Sequence, residues 1–211
     1  MFDFDGLLMD TESTALASWQ YEWRQYGLEL DVSGHFADHG GDVTAERYAK
    51  LAAAVGPGYV QADSHARRLA FRERLHLTLG LAVGIREWLD QAVAAGLRLA
   101  IASSSPRSWV TGHLSRVDAL AAFDVIACGD EVARPKPDPA VYQLALTRLG
   151  VAAPHGAAVE DTPHGVAAAR AAGLRCIAIP NPHADRSRFG AADLLLASAA
   201  DFPLAGALAQ L

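Results

Sequence analysis

Cysteine is nearly missing from this 211-residue chain, which holds only Cys128 and Cys176. Two thiols without C-x-x-C spacing exclude a disulfide framework and a thiolate zinc motif, and a reducing cytoplasm is the expected setting. Long apolar runs are missing too. No stretch approaches the ~18 uninterrupted apolar residues that a membrane helix needs, and the opening Met1-Phe2-Asp3-Phe4-Asp5 is acidic where a signal peptide is basic. Neither a membrane span nor secretion is expected. Positive charge is in deficit: the net charge of -6 provides no field for steering onto phosphate backbones, and no finger or RNP-type motif occurs, so nucleic acid is not an expected partner. The scarcest cation is lysine, since of 18 Lys and Arg residues only Lys50 and Lys136 are lysines.

What is present is a folded composition, 51% hydrophobic and 20% charged. A chain of this length buries roughly 70% of its unfolded surface and builds a core without staples. Three short apolar runs, Leu97–Ala102, Ala157–Val159 and Cys176–Ile179, read as buried strands, with further candidates at Phe123–Ala127 and Asp193–Leu196. The first and third follow helix-like segments ending in Ala95-Gly96 and Ala172-Gly173, where glycine takes a left-handed C-terminal cap. With a helix over Val141–Leu149, this helix-then-strand rhythm predicts an α/β fold with a doubly wound, Rossmann-like parallel sheet. Residues 13–80 differ, carrying Leu16, Trp19, Trp23 and Tyr26 at helical spacing and no β-branched run, so they read as an inserted all-helical subdomain. The expected domains are therefore a core of residues 1–12 and 81–211 and an insertion of 13–80. Within the insertion, Arg67, Arg68, Arg72 and Arg74 read as a solvated helical face.

Four features carry chemistry. Asp3 and Asp5 flank Phe4 before Gly6, at a strand end turning into a loop, where two carboxylates in an apolar setting call for a divalent, oxygen-ligated cation. The run Ser103-Ser104-Ser105 closes a strand ahead of Pro106 and a helix, a place suited to an anion. Lys136 stands between Pro135 and Pro137, and in a chain that otherwise writes its cations as arginine it marks a need for a compact ammonium. Glu160 and Asp161 end an apolar strand, the position where open α/β sheets bind ligands.

In this order the four motifs, Asp3-Phe4-Asp5-Gly6, Ser103, Lys136 and Glu160-Asp161, resemble those of the haloacid-dehalogenase-like (HAD) superfamily of phosphohydrolases, in the branch with a helical cap after the first motif. The resemblance spans essentially the whole chain. It implies a phosphatase of small sugar or polyol phosphomonoesters, with Asp3 as the nucleophile that becomes an aspartyl-phosphate. Asp5 would protonate the leaving oxygen and then activate water. Mg²⁺ would be held by Asp3, the Asp5 backbone carbonyl and Asp161, with Glu160 assisting. Ser103 and Lys136 would hold the phosphoryl oxygens, with Ser104 as a further substrate-binding residue. The expected partner is a small phosphorylated metabolite, and the expected state is a monomer.

Rival readings are separable. Dehalogenases of the superfamily lack the second acid, whereas Asp5 is present, and the β-phosphoglucomutase-like enzymes carry a histidine five residues beyond the equivalent of Asp10, where this chain has Ala15. His35 and His39 share the i, i+4 spacing of zinc ligands but lack the Glu of H-E-x-x-H. A catalytically inactive sugar-phosphate binder is the reading from another class. It draws support from the first strand, which has only Met1 and Phe2 before Asp3, a shortfall expected to leave neighbouring backbone groups unpaired and to reflect a start assigned inside the gene. Specificity is expected around His39-Gly40-Gly41-Asp42, where an acidic residue disfavours substrates with two anionic ends.

The scarcity of lysine yields the first test. Lys136→Arg should lose most phosphatase activity, about as much as Lys136→Ala, because a guanidinium is wider and holds its donors in a plane. Steady-state kinetics on the folded variants checks this; an arginine variant within about twofold of wild type would mean that charge alone suffices.

Overall fold

The computed structural model of the protein describes residues 1–33, 43–182 and 184–211. His35, His39, Gly40, Gly41 and Asp42 lie outside the described residues. The chain divides into two compact units, Met1–Asp10 with Gly80–Leu211, and Thr11–Leu79.

The first unit is built on short parallel strands. β1 (Ala100–Ala102) pairs with β2 (Val125–Ala127) in the register Ala100↔Val125. β3 (Ala157–Glu160) pairs with β4 (Arg175–Ala178), and β4 with β5 (Leu194–Leu195). Parallel neighbours need crossover connections, and the helices supply them. α5 (Arg107–Arg116) joins β1 to β2, α6 (Ala140–Leu149) joins β2 to β3, and α7 (Pro163–Ala171) joins β3 to β4. α4 (Ile85–Ala94) precedes β1 and α8 (Leu204–Leu208) closes the chain. All three residues of β1 are buried, as expected of a strand covered on both faces. Alternation sorts the sheet's side chains: Ala100, Ala102, Val125, Ala127, Ala158, Cys176 and Ala178 pack with α6 and α7 in one core.

The shortened first strand behaves differently from expectation. Phe2 bridges both Ile101 and Val159 in parallel, so the spatial order is β2, β1, Phe2, β3, β4, β5. Phe2 N–H donates to the Ala100 carbonyl at 2.8 Å, Ala102 N–H to the Phe2 carbonyl at 2.9 Å, and Asp3 N–H to the Val159 carbonyl at 3.0 Å. Three residues thus hold the central position, and the ladder closes where it meets the site. At the other end a cavity of about 530 Å³ opens among Met1, Leu97, Leu99, Leu149, Val151 and Ala157.

The second unit holds α1 (Thr11–Arg24), α2 (Thr44–Val55) and α3 (Gln61–His76). Its aromatic spacing is only partly the buried face: α1 buries Thr11, Thr14, Ser18, Trp19 and Glu22, a mostly polar stripe at helical period. The arginine face of α3 is likewise not simply solvated. Arg68 is 5% exposed, lies 4.4 Å over the Trp19 ring and donates to Tyr48 Oη at 2.9 Å and Ser18 Oγ at 3.2 Å. Arg67 pairs with the fully buried Glu22 at 2.6 Å. Arg67 and Arg68 thus supply partners to the polar stripe of α1, which lets Ser18, Glu22 and Arg68 be buried. Among the described residues no helix is long and apolar enough to cross a membrane.

The expected glycine caps are present. At the end of α4, Gly96 N–H donates to the Val93 carbonyl and Leu97 N–H to the Ala92 carbonyl; Gly173 and Leu174 repeat the pattern after α7 with Arg170 and Ala169. This is the Schellman arrangement, with Gly96 at φ 69° and Gly173 at φ 84°. A Cβ on Gly96 would meet nothing within 4 Å, so the cost of Gly96→Ala is conformational alone. The expected loss is about 1–2 kcal/mol, read as a lower urea midpoint at unchanged slope.

Candidate active site

The ends of the central strands bring the acids together. Asp3 leaves the sheet just after the Phe2 bridge, and Glu160 ends β3 beside it. Between them Lys136, from the loop before α6, places Nζ 2.5 Å from Asp3 Oδ1 and 2.6 Å from Glu160 Oε1. All three side chains are buried. Burial pushes the Asp3 carboxyl up to about 7, because the Lys136 ammonium offsets only part of the lost hydration and Glu160 adds to the rise. Burial alone would lower the Lys136 ammonium, but the carboxylates of Asp3 and Glu160 reverse this and hold it above its ordinary value.

Tyr142, on α6, completes the cluster from below. Its hydroxyl donates to Glu160 Oε1 at 2.5 Å, and Lys136 Nζ sits 5.0 Å from its ring centroid. Burial first and Glu160 second raise its phenol well above the usual range, so the group stays neutral and acts as a donor. Oε1 therefore takes two donors, while Glu160 Oε2 is buried with no hydrogen-bond partner.

Oxygens of Asp3, Glu160 and Asp161 lie within 4.8 Å of one another. Three buried carboxylates gathered around one site are costly together, and the Lys136 ammonium pairs with two of them, Asp3 and Glu160. The orphaned Oε2 and the all-oxygen donor set fit a hard divalent ion. A second acidic group, Asp130 and Glu131 beside Cys128, differs in kind: Glu131 already pairs with Arg107 and Arg148.

Asp5 belongs to a different environment. The chain turns back tightly after it, with Gly6 N–H donating to the Met9 carbonyl at 2.9 Å and Leu8 N–H to the Phe4 carbonyl at 3.0 Å. Its half-buried carboxylate accepts from Ser105 Oγ at 2.6 Å and from Trp109 Nε1 at 3.0 Å. Of the serine run, Ser103 is 1% exposed and its Oγ accepts from Ser105 N–H at 3.0 Å, which leaves its own hydroxyl hydrogen to donate. Ser104 is exposed. The hydroxyl that meets an acid is that of Ser105, which together with Trp109 and Tyr142 carries no motif in the sequence. A tryptophan in the first turn of the helix after the serine run was the signal open to a reader.

The family model of haloacid dehalogenase-like hydrolases matches residues 1–179 of the chain. Protein CbbY of Rhodobacter capsulatus is 35% identical over 206 residues, which is 92% of this chain and 89% of that protein. The phosphorylated carbohydrates phosphatase of Thermotoga maritima is 32% identical over 84% of this chain and 82% of its own length. Among solved structures, a HAD family hydrolase from Deinococcus radiodurans with bound phosphate and sodium superposes at a TM-score of 0.82 and 28% identity, covering 99% of this chain and 93% of that one.

Gly165 provides a test of the cluster's packing. It lies in the first turn of α7, and a Cβ there would fall 1.9 Å from Glu160 Oε2. Gly165→Ala must move either the helix or the carboxylate, and overpacking of this kind costs about 1–3 kcal/mol. Thermal melts should show that loss, and a variant as stable as wild type would mean that Glu160 has room to turn.

Proposed function

Since the chain belongs to the haloacid dehalogenase-like hydrolases, we propose that it is a phosphatase of small sugar or polyol monophosphates, working through an aspartyl-phosphate on Asp3. The observation that carries this reading is the Asp3 carboxylate, buried at a strand end with Lys136 at 2.5 Å and a second acid, Asp5, two residues on. The likeness to the phosphorylated carbohydrates phosphatase supports the substrate class.

Lys136 and the Ser103 hydroxyl hold the phosphoryl oxygens and draw an anionic group toward an anionic nucleophile, with Ser104 at the outer edge of the same run. Phosphoryl transfer asks chiefly for such positioning and charge compensation. An Asp3 oxygen bonds to phosphorus as the bond from phosphorus to the leaving oxygen breaks, the electron pair departing with that oxygen and Asp5 supplying its proton. Water then attacks the phosphorus, Asp5 takes the water's proton, and the Asp3–phosphate bond breaks to restore the carboxylate and release phosphate. Mg²⁺, held by Asp3, the Asp5 carbonyl and Asp161 with help from Glu160, would spread the charge of the phosphoryl oxygens. Residues 13–80 serve as the helical cap and residues 1–12 with 81–211 as the catalytic core of a cytoplasmic, monomeric enzyme.

Phosphate release from a panel of sugar and polyol monophosphates, with and without MgCl₂, tests the reading. Asp3→Asn keeps the shape and removes the nucleophile, so turnover should fall by about 10³-fold or more while circular dichroism is unchanged. Substantial hydrolysis by a well-folded Asp3→Asn protein would overturn the covalent route.

A further inference from the structure

We propose that Trp109 and Ser105 are positioning residues that hold the Asp5 carboxylate in the pose from which it transfers protons. The inference rests on the phosphatase reading above and adds to it the means by which this chain aims its acid.

The two carboxylate oxygens of Asp5 meet chemically different partners. Oδ1 accepts from the indole Nε1 of Trp109 at 3.0 Å, and Oδ2 accepts from the Ser105 hydroxyl at 2.6 Å. An indole N–H can only donate, so it fixes the direction from which Oδ1 is held. A serine hydroxyl donates or accepts as its O–H rotates, so Oδ2 keeps a partner whether or not it bears hydrogen. In the first step the Asp5 carboxyl, held by these two donors, gives its proton to the leaving oxygen as the phosphorus–oxygen bond breaks. In the second step the carboxylate takes a proton from the attacking water.

Neither donor is loosely held. Ser105 N–H is tied to Ser103 Oγ at 3.0 Å, and the Ser105 carbonyl accepts from Gly129 N–H at 3.0 Å. Trp109 stands in the first turn of α5, whose leading N–H, from Arg107, donates to the Asp130 carboxylate at 3.1 Å. The indole packs against the His113 ring at 4.0 Å between centroids, and His113 meets edge-on the ring of Phe4, the residue between the two catalytic acids, at 5.8 Å. The indole is thus braced by the helix that bears it and by the loop it serves. Side chains locked in this way are what a reacting group needs to stay within reach of its target.

General acid help matters in proportion to how poor the leaving group is, and this separates positioning from mere packing. Wild type, Trp109→Phe, Ser105→Ala, Ser105→Thr and Asp5→Asn would be compared by kcat/KM on glycerol 3-phosphate, whose alkoxide must be protonated, and on p-nitrophenyl phosphate, whose phenolate leaves without help. Trp109→Phe should lose about 10- to 10²-fold on glycerol 3-phosphate, a share of the ~10²–10⁴-fold that acid–base catalysis supplies, and less than about threefold on p-nitrophenyl phosphate. Asp5→Asn should show the same asymmetry, larger. Ser105→Ala should follow Trp109→Phe, and Ser105→Thr, which keeps the hydroxyl, should restore near wild-type values. Equal losses on both substrates, or no loss on either, would overturn the positioning role while leaving the phosphatase reading intact. A wild-type protein inert toward both esters would overturn that reading itself. Should Trp109→Phe fold poorly, the Ser105 pair still decides the question.

Discussion

The ammonium of Lys136, buried between Asp3 and Glu160, is the interaction on which the rest of the site depends. Without it, carboxylates delivered by neighbouring strands would face each other in a dry pocket, and a buried pair broken on one side costs on the order of 3–5 kcal/mol. With it, Asp3 is drawn to one side, and Glu160 is anchored through Oε1 by Lys136 and the Tyr142 hydroxyl together. Oε2 is left without a partner against the bare Cα of Gly165. The oxygens gathered there from Asp3, Glu160 and Asp161 are of the kind that suits a hard divalent ion.

The fold serves this arrangement by ending parallel strands side by side. Asp3, Ser103 and Glu160 each stand at or just past the carboxyl end of a strand or bridge, and the ladder around Phe2 fixes their spacing. It matters little for the site that the central strand is short. The hydrogen bonds of Phe2 and Asp3 are those nearest the acids, and the apolar cavity lies at the opposite end.

Much of this was legible in the sequence, for definite reasons. Strand-then-acid and strand-then-serine patterns are local, Gly96 and Gly173 announce their caps through backbone geometry, and Lys136 stands out against an arginine background. Other parts were not legible. Tyr142 and Trp109 look like ordinary helix residues, and their roles come from contacts across 18 and 104 positions of sequence. Ser104 and Ser105 are chemically alike in sequence, and only the turn of the chain after β1 exposes one and points the other at Asp5. In the helical unit the same limit applies: Arg68 reads as a surface cation until Trp19, Tyr48 and Ser18 are seen around it.

The two acids of the first motif show how environment divides labour between identical side chains. Asp3 is buried against an ammonium and a second carboxylate, and the ammonium offsets part of the rise that burial and Glu160 impose on it. Asp5 is half-buried, and an indole and a hydroxyl donate to its carboxylate. A nucleophile must remain ionised while an anionic phosphate approaches, which calls for the lysine. A proton carrier must reach the leaving oxygen, which calls for donors that hold its carboxylate in one pose. In the proposed mechanism these two carboxylates, two apart in the chain, would take different roles because their surroundings differ.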